Sequence, residues 1–213
     1  MLNHTSENNK RIAKNTLLLY VRMLFMMVVS LYTSRVILNA LGVEDFGIYN
    51  VIGGIVAMFS VISNSLSASI SRFITFELGK GNTDRLKKIF ATSVSIQIGL
   101  SMLVVIAAES VGLWFVNYKM VISPDRLVAA NWVYQFTIFT FVVNLISVPY
   151  NAAIIAHEKM SAFAYISIID ALGRLGVASL VLISPIDNLI FYGFLSAFLA
   201  VLIRCCLLYT SDA

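Results

Sequence analysis

Two side chains four residues apart, Asp170 and Arg174, carry opposite charges in SAFAYISIIDALGRLGVASLVLI, an otherwise apolar stretch. Four residues is close to one helical turn, so the carboxylate and the guanidinium share a face and can meet. Two chemistries are open to them. Either the pair neutralises itself, the least costly way to keep both charges among apolar surroundings, or it opens, Arg174 taking an anion through its planar fork of donors and Asp170 taking a proton or a cation.

Arg22 poses the same question inside TLLLYVRMLFMMVVSLYTSRVILNAL, residues 16–41. A charge at such a place costs about 2.5 to 3.5 kcal/mol on insertion scales and marks a pathway, a cavity or an ion partner. Asn15, Arg22, Met26, Val29 and Thr33 recur at helical spacing and form one stripe, expected to face protein or water. Arg35 lies about 140° away around that helix and either snorkels to the headgroups or serves a cavity. In SVISNSLSASISRFITFE, residues 60–77, a second face collects Ser60, Asn64, Ser67, Ser71 and Thr75. It is either a packing face of small hydroxyl residues or a hydrated wall carrying Arg72. Thr137, Thr140, Asn144 and Asn151 share a third face, and Pro149 should kink that helix, which makes it a hinge candidate. Arg22, Asn64, Arg72, Asn144, Asp170 and Arg174 are therefore the substrate-cavity candidates. Gln97, between Ser93 and Ser101, is expected to make an interhelical hydrogen bond, and Glu109 to reach water.

Enzymatic groups are missing from this inventory. His4 lies near the N-terminus and His157 in the segment HEKM, where it and Glu158 serve either an interfacial transferase or, as expected, a solvated connection. No HExxH, GxSxG, CxxC or phosphate-cradling glycine loop occurs. No catalytic residue, metal or cofactor is expected.

The elements that position these residues must span a bilayer. With 59% hydrophobic and 12% charged residues in 213, the chain has too little polar surface for a soluble globule. A hydrocarbon core of about 30 Å asks for roughly 20 apolar residues per helix. Six stretches answer: 15–38, 46–76, 90–118, 127–153, 161–183 and 189–203. None shows the alternation of a barrel strand, so an all-α integral membrane fold is expected. Lys10, Arg11, Lys14, Lys80, Arg85, Lys87, Lys88, Lys159 and Arg204 fall on one side, against Lys119 and Arg126 on the other. That asymmetry puts residues 1–14 in the cytoplasm. The net charge of +4 then reads as topology and headgroup attraction, not as a nucleic-acid surface. The first run is too long for a signal peptide and should remain as an anchor.

Residues 206–213, CLLYTSDA, resemble the translation of a transposase-type sequencing adaptor. They are expected not to be native, which would leave 15–205 as the membrane lobe and Cys205 as the single native cysteine. Neither a disulfide framework nor a metal site is expected from Cys205 and Cys206.

SRVILNALGVEDFGIYNVIGGIVAMF, residues 34–59, resembles the first two helices and their LG loop in polysaccharide flippases of the multidrug/oligosaccharidyl-lipid/polysaccharide exporter superfamily. VPYNAAIIAHEKMSAFAYISIIDALGRLGVASLVL, residues 148–182, is similar to the fourth-to-fifth helix junction of the same O-antigen and capsule exporters. The resemblance implies one six-helix lobe of a MATE/MOP-type transporter, with a missing C-terminal lobe of the same protein closing a central cavity. It implies export of lipid-linked oligosaccharide, sugar units on a polyprenyl diphosphate, across the bacterial inner membrane by alternating access, with membrane lipids as the other partner. A cation-coupled multidrug exporter of the same superfamily is the alternative, and would be expected to use membrane carboxylates. A lipid-modifying membrane enzyme is a more distant one.

Overall fold

The computed structural model describes the backbone at residues 2–81, 83–156, 160–184 and 187–212, helical almost throughout and without a strand among those residues. His157, Glu158 and Lys159 lie outside the described residues. In chain order the helices are α1 (Leu2–Ala57), α2 (Ser60–Lys80), α3 (Thr83–Ala107), α4 (Leu113–Tyr118), α5 (Leu127–Ile146), α6 (Val148–Ala156), α7 (Met160–Val181) and α8 (Asn188–Asp212). A π-helical turn, Ala108–Gly112, joins α3 to α4, and a 3-10 turn, Pro124–Arg126, leads into α5.

Five stretches are long and apolar enough to cross a membrane: Thr16–Ala57, Thr83–Tyr118, Pro124–Ala156, Ala164–Val181 and Asn188–Leu207. The first is not one straight rod. Gly42, at φ 79° and ψ 173°, breaks α1 in a region of backbone space that is essentially reserved for glycine. Thr33 and Tyr49 consequently line one cavity, although an unbroken helix would hold them about 24 Å apart. Thr16–Ala57 thus supplies the expected first span and, beyond Gly42, the start of the second. A Cβ at Gly42 would meet nothing within 4 Å, so Gly42→Ala tests backbone strain alone. It is expected to lower stability by about 1 to 3 kcal/mol, read as an earlier thermal transition in detergent; a transition matching the parent's would show that the turn tolerates a side chain.

The expected boundaries need correction in two places, and one expected break is present. The span placed at 46–76 is divided at Met58 and Phe59 into the end of α1 and a separate α2. Ser60, Ser65, Ser69 and Thr75 each return their hydroxyl to a carbonyl three or four residues earlier, so these hydroxyls are satisfied within their own segment. The span placed at 127–153 is present as Pro124–Ala156 and carries the expected interruption, at Ser147 between α5 and α6. Pro149 has no N–H for the Leu145 carbonyl and its ring crowds that carbonyl, while Ser147 turns its own Oγ onto Val143 O at 2.7 Å. The sixth span, placed at 189–203, runs on as helix to Asp212.

The core lies where α1, α5, α7 and α8 converge. Ile52, Ala130, Val133, Tyr134, Ala178 and Leu189 are fully buried there. The outward faces stay apolar: Met23, Leu24, Met27, Val28 and Leu31 of α1 are all exposed, as a lipid-facing surface requires. At the Gly42 end of the bundle, loop charges interlock. Arg126 reaches Asp187 at 2.5 Å and Asp45 at 3.4 Å, and Asp187 Oδ1 also accepts from the amides of Leu189 and Ile190, capping α8. Ser123 donates to Glu44 at 2.6 Å and Asn188 to Ala40 O at 2.9 Å.

Candidate functional site

A cavity of about 470 Å³ opens between the first arm of α1, α7 and α8. Met26, Val29, Ser30 and Thr33 come from α1, Asp170 and Arg174 from α7, Tyr192 from α8, and Tyr49 from α1 beyond its turn. The volume is within the ordinary range of small-molecule sites. The stripe expected on the first helix is visible here: Met26, Val29 and Thr33 present one face to α7. The side chain of Asn15 lies outside the described residues.

Arg174 and Asp170 do meet, with Nε donating to both carboxylate oxygens at 3.2 Å. The contact uses only the inner donor of the guanidinium. Neither terminal amino group makes a hydrogen bond among the described residues, and the Arg174 side chain is 57% exposed towards the opening. The pair is thus formed, and the N–H donors of both terminal amino groups remain available. Thr33 adds a second polar group, since it is 7% exposed and its Oγ1 has no hydrogen-bond partner among the described residues. A buried hydroxyl left so costs free energy unless something in the cavity meets it. Tyr49 and Tyr192 close one side as an edge-to-face pair, ring centroids 4.9 Å apart.

Asn144 is engaged elsewhere. Its Oδ1 accepts from Arg204 Nε at 3.0 Å and from Arg204 Nη2 at 2.6 Å. Arg204, counted in the sequence as a loop charge, is in fact held inside α8 against α5. The sequence signal is faint: Asn144 and Arg204 sit about equally far along two helices of like direction, but only the packing of α5 on α8 brings them together.

Arg22 lines a neighbouring cavity of about 270 Å³ with Leu18, Phe25, Ala164, Tyr165 and Ile168. It lies on the α1–α7 seam one turn before Met26, next to the larger cavity and not within it. Arg72 and Asn64 are exposed on α2, which packs on α3 and α6. They are absent from the linings of both seam cavities, so the structure does not group them with Asp170 and Arg174. Two further expectations change. Gln97 is fully buried, yet neither end of its amide finds a partner among the described residues, where an interhelical hydrogen bond was expected. Glu109 accepts from Gln135 at 3.2 Å and is half-buried, not simply solvated.

Compared with known families, residues 19–178 match the profile described as MatE. That segment carries Arg22, the Gly42 turn, Asp170 and Arg174, and ends before α8. No curated protein and no solved structure matches the chain.

Proposed function

Because the chain belongs to the MatE family of MOP-superfamily transporters, we propose that it takes part in moving an anionic lipid-linked substrate, an oligosaccharide on a polyprenyl diphosphate, across a bacterial inner membrane. In this reading residues 15–205 form one lobe, and a second lobe of the same protein closes the cavity during alternating access. The observation that supports it is the fork of Arg174, engaged through Nε alone. A diphosphate offers pairs of oxygens at the spacing that a planar guanidinium matches, and Asp170 already orients that fork from behind. Arg22 on the same α1–α7 seam adds positive charge beside the path. Asp170 is the one carboxylate among the described residues of the lining, and it is paired.

A second reading rests on the other wall. Tyr49, Tyr192 and Met26 give a polarisable aromatic surface suited to a flat organic cation, as a multidrug exporter would use. There Asp170 would release Arg174 and bind the coupling ion or the drug.

The complete gene separates the two. Expressed in a bacterial strain that lacks its own polysaccharide flippase, it is expected to restore surface polysaccharide and to leave resistance to cationic dyes unchanged. Dye resistance without polysaccharide would select the drug reading. In the same strain Arg22→Ala is expected to reduce surface polysaccharide severalfold at equal membrane abundance; full restoration would assign Arg22 a packing role.

A further inference from the structure

Hydroxyls inside the helices of this lobe commonly satisfy themselves. Thr75, Ser93, Thr137, Ser147 and Ser179 each donate to the carbonyl four residues earlier, at 2.7 to 2.9 Å. Thr33 does not. It is 7% exposed, and its Oγ1 meets neither its own helix nor any other group among the described residues. Thr33 lines the cavity that also holds Arg174, and burial divides that lining. Arg174, Ser30 and Ser34 are exposed, while Thr33, Ile37, Ala171 and Tyr192 are buried. The guanidinium therefore stands at the mouth and Thr33 at the closed end, where none of the buried lining residues is charged.

We propose that Thr33 is a specificity-determining residue, its hydroxyl bonding a hydroxyl of the sugar unit attached directly to the diphosphate while Arg174 holds the diphosphate at the mouth. This rests on the reading of the cavity as a diphosphate site. A threonine hydroxyl both donates and accepts, so it meets a sugar hydroxyl in either sense. A second anion at the closed end would be buried without a counter-charge. Tyr49 and Tyr192, packed edge to face, offer ring surface on which the C–H face of a pyranose can rest. A flat organic cation would use the same rings but leave Oγ1 unmet, and a buried orphan hydroxyl is costly.

The test is titration calorimetry on the protein purified from its complete gene in mild detergent. The probes are geranyl diphosphate esters that differ in one group: glucosyl, galactosyl, N-acetylglucosaminyl or methyl, the last keeping the charge and lacking the sugar. At least one sugar probe is expected to bind about tenfold or more above the methyl probe, from a hydrogen bond and a ring contact together. Thr33→Val, which keeps the shape and removes the hydroxyl, should lower that sugar's affinity about fivefold, the size of one neutral hydrogen bond, and leave the methyl probe unchanged. Thr33→Ser should keep the preference, and Arg174→Gln should weaken all probes alike. If the methyl probe binds and no sugar improves on it, or if Thr33→Val keeps the full preference, the role of Thr33 is overturned and the diphosphate reading stands. Equal weakening of methyl and sugar probes by Thr33→Val would also overturn it, since the residue would then shape the cavity and select nothing. If no probe binds, or Arg174→Gln binds them all as the parent does, the diphosphate reading itself falls and takes the role of Thr33 with it.

Discussion

Arg174→Ala in the complete transporter is expected to cut transport about a hundredfold or more. A hydrogen bond to a charged group contributes roughly 1.5 to 3 kcal/mol, and a substrate held by both terminal amino groups loses two of them. At 1.4 kcal/mol per factor of ten, that is two orders of magnitude or more. Arg174→Lys keeps a point charge and loses the fork, and an intermediate loss of about tenfold is expected. The single alanine variant also strands Asp170, so the decisive comparison is the double variant Arg174→Ala with Asp170→Asn. If the pair serves only to neutralise itself, the double variant regains transport. If Arg174 meets the substrate, it stays inactive while inserting normally, as followed by membrane abundance and detergent monodispersity. Asp170→Asn alone leaves the fork without its brace, and reduced transport is expected without loss of insertion.

The second large effect is structural. At Gly112 an added Cβ would lie 1.8 Å from the Tyr134 hydroxyl oxygen and 2.9 Å from its Cζ. Tyr134 is completely buried, and its hydroxyl donates to Ala108 O at 2.7 Å. The contact sits on the π-helical turn Ala108–Gly112, where the missing side chain of Gly112 leaves room for the tyrosine to reach the backbone. A ring end has no torsion with which to step aside, so Gly112→Ala forces the whole side chain to move. Overpacking of this kind costs about 1 to 3 kcal/mol, and the displaced hydrogen bond about 0.5 to 1.5 kcal/mol. A large fall in thermal transition temperature is expected. Adding Tyr134→Phe removes the clashing oxygen and should recover part of it. Gly112→Ala melting with the parent would mean that α3 and α5 slide apart freely, contrary to this packing.

The spans were legible because apolar length is a strong and local signal, and so was the Met26, Val29 and Thr33 stripe, which repeats one helical period. The contact of Asp170 with Arg174 was legible for the same reason, since it spans one turn of one helix. Arg204 with Asn144 was not: the two are sixty residues apart, and their meeting depends on which helices are neighbours. Arg72 shows the complementary failure. Its position on its own helix could be worked out, but no property of residues 60–77 says which helix faces it. The charges at the Gly42 end were read only for their sign, because loop residues reveal orientation to a simple count and reveal partners only once folded. Gln97 departs from expectation for a similar reason, since burial followed from the pattern and a partner did not.

That knot of charges at the Gly42 end has a mechanical consequence. Arg126 ties the turn of α1 to the connections ahead of α5 and α8, so three helix ends are gathered at one point. Helices bound at one tip move most at the other. A 10° swing about the knot carries the far end of a 30 Å span through about 5 Å, and the break at Ser147 lies toward that far end, where the displacement is greatest. The lobe is a sheaf tied by charge at its Gly42 end and by apolar packing at the other, so fanning there would have to part Ile70 and Ile74 of α2 from Val148 and Ala152 of α6.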